Sequence, residues 1–456
     1  MLFTSAPFGL LLVAVLAAHW SSRSQKVRLW VLLTGSLVFY GWRHWPSIFL
    51  LLASIGFNYA LGLALERRPR RWLLGLGVMV NLASLAWFKY SGFVAVNLQR
   101  ALELLGLRLE VPRLGGWLPL GISFFTFQVI AYLVAVYRSE VAAERSLLVF
   151  AVFKSFYAQL VAGPIVRAKD LLPQLQTARP FDAAQLHRGA FLFLSGLFLK
   201  LGVADVLAQF ADQAFADPAA QSTLGAWLGV YAYSVQIFAD FWGYSTMAVG
   251  LGLMVGLSLP RNFALPYFAP TLQLFWRRWH ITLSEWFRDH VYLPLGGNRR
   301  RPLRNVVLVM ALAGLWHGAG WTFVLWGLLH GLWLAAERAV GFSPGIGRLR
   351  RVAGAVAVFQ GVCLLWVLFR APSIAVALAY YRRLLLPPYS SQGAVPTLLV
   401  FWLLGFALLH AGLDGLFAPG RLARVGLRWQ LALTAAMLLV LLGYGDARLD
   451  FIYFVF

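Results

Sequence analysis

Asn305-Val306-Val307-Leu308-Val309-Met310-Ala311-Leu312-Ala313-Gly314-Leu315-Trp316-His317-Gly318-Ala319-Gly320-Trp321 is an apolar run that carries an ionisable imidazole and, directly after it, two helix-loosening glycines. Read as a helix from Asn305, it places His317 roughly 18 Å from its start at about 1.5 Å per residue, near the middle of a hydrocarbon core roughly 30 Å thick. A histidine at that depth is a functional-site candidate by default. It is tolerated only beside a water-filled cavity or a polar partner.

The rest of the chain has the same character. Its 456 residues are 60% hydrophobic and 12% charged, and the mean hydropathy is +0.72; soluble globular proteins carry about twice that charged share. Apolar runs of spanning length recur at residues 5–20, 29–43, 47–64, 72–88, 117–137, 146–163, 189–209, 225–258, 305–336, 352–369, 396–412 and 429–443. An all-α polytopic membrane protein is expected, with no soluble domain between the runs. The first run lacks a basic n-region and a small-residue cleavage site, so it reads as a retained span whose flank Arg23, Lys26 and Arg28 faces the cytoplasm.

A formal charge of +22 invites a nucleic-acid reading, but the basic residues fall in short loops between the runs. That is the positive-inside pattern, and it excludes nucleic acid as the economical partner in favour of anionic lipid. Attraction of an anionic cytosolic substrate is an additional possibility. The single Cys363 excludes an intramolecular disulfide and any multi-cysteine metal site, and it reads as packing.

Basic loops assign 21–28, 66–72, 138–145, 167–188, 259–304, 338–351 and 421–428 to the inside, and 210–223, with Asp212 and Asp217 and no Lys or Arg, to the outside. Three runs then have the wrong parity. The run 146–163 has basic loops at both ends, 225–258 is too long for one span and short for two, and 305–336 begins and ends inside. Re-entrant or broken helices around a cavity satisfy these constraints, with two limbs of 305–336 meeting at Gly318-Ala319-Gly320. A misassigned loop is the alternative. Gly115-Gly116, Gly163-Pro164 and Gly296-Gly297 read as turns.

The interval 259–304 is too polar to span. On a continuous helix Arg277, His280, Ser284 and Arg288 share one stripe, with Trp279, Leu283 and Trp286 on a neighbouring apolar one. That suits a helix at the cytoplasmic interface or dipping into the protein. His317 and His280, with aromatic shielding and neither a carboxylate cluster nor a cysteine set, point to proton transfer rather than metal or redox work. His280 or Ser284 could orient the base or hydrogen-bond an oxyanion. No metal site is expected, because no HxxxH or HExxH accompanies either histidine, and no G-x-S-x-G elbow is present. His19, His44, His187, His290, His330 and His410 read as structural.

Four strings occur in order: Leu118-Pro119-Leu120-Gly121-Ile122-Ser123-Phe124-Phe125-Thr126-Phe127-Gln128, Gln159-Leu160-Val161-Ala162-Gly163-Pro164-Ile165-Val166-Arg167, Trp276-Arg277-Arg278-Trp279-His280-Ile281-Thr282-Leu283-Ser284 and Gly314-Leu315-Trp316-His317-Gly318. With Asn81-Leu82, Lys89-Tyr90, Tyr292 to Arg299, Phe369-Arg370-Ala371 and Phe451-Ile452-Tyr453-Phe454, the chain resembles the membrane-bound O-acyltransferases over nearly its whole length. The bacterial branch that modifies alginate, peptidoglycan and teichoic acid fits best.

The resemblance implies a ring of about 11 transmembrane helices, plus re-entrant or interfacial ones, around a central funnel and tunnel. It implies one integral-membrane domain, 1–456, with N-terminal spans in 1–116, a motif-bearing catalytic core in 117–340 and C-terminal spans in 341–456. The family's invariant histidine falls on His317 and its second site histidine on His280. Trp316, Trp279, Ser284, Arg277, Gln128 and Gln159 become candidates for tunnel or donor contacts. The implied reaction moves an acyl group, best guessed as acetyl, from a cytosolic thioester, either acetyl-CoA or a carrier-protein thioester, and no bound cofactor is called for. The implied location is a bacterial cytoplasmic membrane, with hand-over to a periplasmic or extracellular acyltransferase partner. Alginate-type relatives carry Asp and Gln where this chain has Ala135 and Val455, which puts the acceptor or partner surface in question.

On this reading His317 is the general base, His280 positions or polarises the donor carbonyl, and Trp316, Trp279 and Trp321 wall the tunnel against water. A transporter or channel whose histidine relays protons, and a scaffold subunit, are the rival classes. Against transport, the sequence shows no internal repeat and no evident pair of intramembrane carboxylates.

Overall fold

The computed structural model describes residues 1–107, 109–112, 117–341, 347–387, 389, 399–400, 402–406, 410, 412 and 426–444. The expected turn at Gly115-Gly116, most of the loop 421–428, much of the run 396–412, the motif Phe451 to Phe454 and Val455 lie outside them. Among the described residues every regular element is helical. Four helical stretches, Ser47–Arg67, Arg71–Leu104, Ala183–Ala216 and Arg348–Arg370, are long and apolar enough to cross a membrane.

The chain forms two compact units, Met1–Gly189 with Leu251–Pro260, and Ala190–Gly250 with Arg261–Phe456. The first holds α1 (Ala6–Ser21), α2 (Gln25–Gly41), α3 (Ser47–Arg67), α4 (Arg71–Leu104), α5 (Ile122–Tyr137), α6 (Leu147–Ser155), α7 (Tyr157–Leu160) and α8 (Ala168–Gln176). Ser146 caps α6 by accepting from Val149 N. At nine residues, α6 rises only about 13 Å. The run 146–163 is therefore two short helices, buried from Val149 onward, and neither is long enough to span.

Such a helix ends inside the protein, so its last carbonyls need donors. Gln128 Nε2 and Gln159 Nε2 both donate to the Phe153 carbonyl, at 3.1 and 2.5 Å. Nearby polar groups are likewise matched: Asn58 and Asn81 exchange reciprocal amide bonds between α3 and α4, and Lys154 donates to Ser54.

The second unit contains most of α9 (Ala183–Leu197), a π-helical stretch Phe198–Ala204, α10 (Asp205–Ala216) and most of α11 (Thr223–Met254). Most of the run 225–258 is therefore one continuous helix, not the broken one expected from its length, and its 32 residues span about 48 Å. After α11 come α12 (Leu272–Trp276), α13 (Ile281–Phe287), a π-helical turn Arg288–Tyr292, α14 (Pro302–His317), α15 (Trp321–Ala339), α16 (Arg348–Arg370), α17 (Ile374–Leu385) and α18 (Leu427–Tyr444). α17, whose N-cap is Ser373, falls outside every apolar run expected from the sequence.

Two helices joined at Gly318-Ala319-Gly320 make up 305–336, as the break suggested. They pack as an antiparallel hairpin on Gly314, Gly327 and Gly331, where the backbones meet so closely that a Cβ on Gly327 would lie 2.2 Å from the Met310 carbonyl. Small residues at such spacing are how membrane helices reach van der Waals contact.

One expectation fails inside this unit. Lys200 Nζ lies 2.7 Å from Asp205 Oδ1 and 3.0 Å from Asp240 Oδ1, all three side chains being buried. Two carboxylates do therefore share an interior site, each hidden in sequence as a lone polar residue on a long apolar helix.

Candidate functional site

The segment 259–304 departs from the single stripe expected of it. His280 has φ +44°, in the left-handed region, and ends the turn after α12 before α13 begins. Arg277 and His280 thus do not share a helix with Ser284 and Arg288. Asn262 straps the restart: its backbone carbonyl accepts from Ile281 N at 2.9 Å and its side-chain oxygen from Thr282 Oγ1 at 2.7 Å, while its Nδ2 donates to Ser245 Oγ on α11. The His280 carbonyl accepts from Ser284 N at 3.0 Å. A buried imidazole is fixed by this break where a continuous helix would have carried it onto an exposed stripe.

His280 is fully buried, with Phe241 edge-on at 4.6 Å and the Trp316 ring at 6.0 Å. Burial pushes its pKa down to about 3, so it is neutral at physiological pH. The Trp316 ring also touches His317, at 5.0 Å. His317 closes α14 at 2% exposure and is boxed by Trp326 and Phe369, each 5.2 Å away.

His317 also lines a cavity of about 760 Å³ that lies wholly within the second unit. On α14 the lining residues are Val306, Val309, Met310, Ala313 and His317, one face at three- and four-residue spacing. From Val306 to His317 that face rises about 16 Å. Leu283 and Ile281 complete an apolar throat, and the exposed Arg277, Arg288 and Arg338 stand around the cavity with Ser284, Tyr292 and Asn298. The rim thus carries three arginines beside Glu285 and Glu337, with Arg288 paired to Asp289 at 2.6 Å, and it leads by an apolar throat to the buried imidazole of His317.

The rim is braced. Glu337 accepts from Leu272 N at 2.8 Å and Gln273 N at 3.1 Å, supplying with Thr271 Oγ1 the cap that the short α12 needs. Arg338 donates to Tyr292 Oη and Asn298 Oδ1, both at 2.6 Å. Asn305 Nδ2 donates to the carbonyls of Leu295, Gly297 and Arg300. The turn it holds has φ +103° at Gly296 and +53° at Gly297, which glycine adopts without a Cβ penalty.

Of the residues singled out in sequence, His317, Arg277 and Ser284 meet at this cavity. His280, Trp279 and Trp316 lie behind it in aromatic packing, with Trp279 stacked on Phe275 and tilted against Trp366. Trp321 is 53% exposed at the start of α15 and lines no part of the cavity. Gln128 and Gln159 belong to the first unit, in the α6 end described above. Tyr292 and Asn298 stood out only as part of a family motif with no site role, and Glu337 and Arg338 were missed, although a Glu-Arg pair closing an apolar run was a usable signal.

A model of MBOAT, the membrane-bound O-acyltransferase family, matches residues 76–344. The chain is 40% identical over 397 residues to the probable alginate O-acetylase AlgI of Pseudomonas aeruginosa, covering 84% of this chain and 75% of that protein. It is 37% identical over 415 residues to the peptidoglycan O-acetyltransferase of Helicobacter pylori, covering 83% and 77%. Similarity to the teichoic acid D-alanyltransferase of Streptococcus thermophilus is lower, 30% over 240 residues, with 48% and 57% covered.

Proposed function

The chain belongs to the membrane-bound O-acyltransferase family, and from that premise we propose that it takes an acetyl group from a cytosolic thioester, acetyl-CoA or a carrier-protein thioester, towards a cell-surface polysaccharide or a periplasmic partner transferase. The bacterial cytoplasmic membrane is the location this reading requires. The observation that carries it is His317 at the deep end of an apolar throat whose rim carries three arginines. Phosphates of a CoA or phosphopantetheine donor suit the arginine rim, and a thioester suits a site from which water is excluded.

His317 takes the proton of the acceptor hydroxyl as the oxygen attacks the thioester carbonyl. The C–O bond forms, the C–S bond breaks, and the imidazolium returns its proton to the departing thiolate, giving an ester and a free thiol. His280 is a poor base with its pKa near 3, so the neutral ring serves to hold or polarise the site rather than to carry the proton.

The test is label transfer from radiolabelled acetyl-CoA to envelope polysaccharide in membrane vesicles. His317→Ala should cost about 10²–10⁴-fold while the protein stays inserted and folded; full activity would remove His317 from the reaction. Transport is the second reading, now favoured by the Lys200, Asp205 and Asp240 cluster. Solute flux in proteoliposomes without any acyl donor would support it. Transfer of D-alanine or another acyl group from a carrier protein would be seen as incorporation that requires the loaded carrier.

A further inference from the structure

Within the second unit His317 is packed against the rings of Trp316, Trp326 and Phe369. Trp316, Trp326, Trp366 and Phe369 are each 4% exposed or less, and none lines the cavity that reaches the histidine. Phe369 is the keystone of this wall. It stands edge-on to His317 at 5.2 Å, to Trp326 at 5.1 Å, to Trp366 at 5.2 Å and to Phe323 at 4.9 Å. Trp326 and Trp366 stack behind it at 5.6 Å. Four rings thus gather around Phe369 in a close-packed block, and such a block yields space only by displacing neighbours.

We propose that this aromatic wall, with Phe369 at its centre, sets the length of acyl group the enzyme accepts, admitting acetyl and rejecting chains longer by two or more methylenes. The inference rests on the acyl-transfer reading above. A thioester carbonyl beside His317 has its sulfur arm in the throat, so its acyl substituent points at the wall. An acetyl methyl ends there. Each further methylene must either push into the rings or retract the carbonyl from the imidazole, and both outcomes slow transfer.

The test supplies membrane vesicles with radiolabelled acetyl-, propionyl- and butyryl-CoA and measures incorporation into envelope polysaccharide. Wild type should prefer acetyl over butyryl by roughly 10²-fold or more, given about 10-fold or more for each methylene. Phe369→Ala should narrow that ratio by at least about tenfold, and the milder Phe369→Leu should lie between them. The ratio is read within each variant, so a partial loss of folded protein leaves it intact. Acetyl incorporation accompanied by equal butyryl incorporation in wild type would overturn the wall as a length filter while leaving acyl transfer standing. An unchanged ratio in both Phe369 variants would overturn the assignment to Phe369. Absence of incorporation from any of the three donors would overturn this inference together with the CoA-donor reading.

Discussion

Gly314→Ala tests how His317, the proposed general base, is held. A Cβ on Gly314 would stand 2.2 Å from the Phe323 carbonyl oxygen and 3.1 Å from Gly327 Cα, where ordinary contact begins at 3.4 Å. Both obstacles are backbone, so no side chain can swing aside; the hairpin must open by about 1 Å at this level, in an interior packed too densely to give freely. Overpacking of this kind costs about 1–3 kcal/mol. Because His317 is the last residue of the same helix, it moves with the displacement, and a shift of about 1 Å at a reacting group can cost about 10²-fold in rate. The assay pairs acetyl incorporation in vesicles with thermal unfolding of purified protein in nanodiscs. Gly320→Ala is the control, since its nearest neighbour would be the Phe323 ring at 3.4 Å, and its stability should stay within about 0.5 kcal/mol of wild type. Wild-type rate and stability in Gly314→Ala would refute the close hairpin, and equal losses in both variants would refute Gly314 as the pinch point.

The depressed pKa of His280, about 3, fixes a sign. Between about 6.5, the ordinary value, and 3 the unfolded chain binds a proton that the folded one refuses. This group's contribution to stability is therefore complete above about pH 6.5 and declines by about 1.4 kcal/mol per pH unit as pH falls. His280→Gln should flatten the slope of thermal stability between pH 6.5 and 4.5 relative to wild type, and parallel slopes would show that His280 is not held neutral by burial. Neutralising the rim with Arg277→Gln plus Arg288→Gln should raise the KM for an acetyl-CoA donor about tenfold, allowing for solvent screening of a charge-assisted hydrogen bond, with kcat little changed. An unchanged KM would separate these arginines from the donor.

Much of the fold was legible because the bilayer constrains sequence so strongly. The irregularities that charge placement suggests at 146–163 and 305–336 correspond to two short helices and a glycine-broken hairpin. Length arithmetic failed at 225–258, because helix length is not bounded by the hydrocarbon thickness: a long helix can tilt or extend beyond it. The periodic stripe of Arg277, His280, Ser284 and Arg288 failed for another reason. It assumed that helical propensity persists through Trp279 and His280, whereas Asn262, 18 residues upstream of His280, captures the Ile281 and Thr282 backbone and hydroxyl and stabilises a left-handed residue that local sequence does not announce.

The amino-acid sequence by itself determined that this is a helical membrane protein, that His317 closes an apolar run next to a break, and that the motifs are those of O-acyltransferases. Hydropathy, charge placement and motif order are one-dimensional quantities, and a linear chain displays them fully. Only the tertiary structure decided which neighbours each group meets: that Arg277, Ser284 and His317 share a cavity, that Arg338 and Glu337 brace its rim, that Gln128 and Gln159 serve the end of a buried helix, and that Phe369, some fifty residues after His317, stands against its imidazole. Those pairings arise from close packing between distant segments, and packing is a property of surfaces that no local pattern encodes.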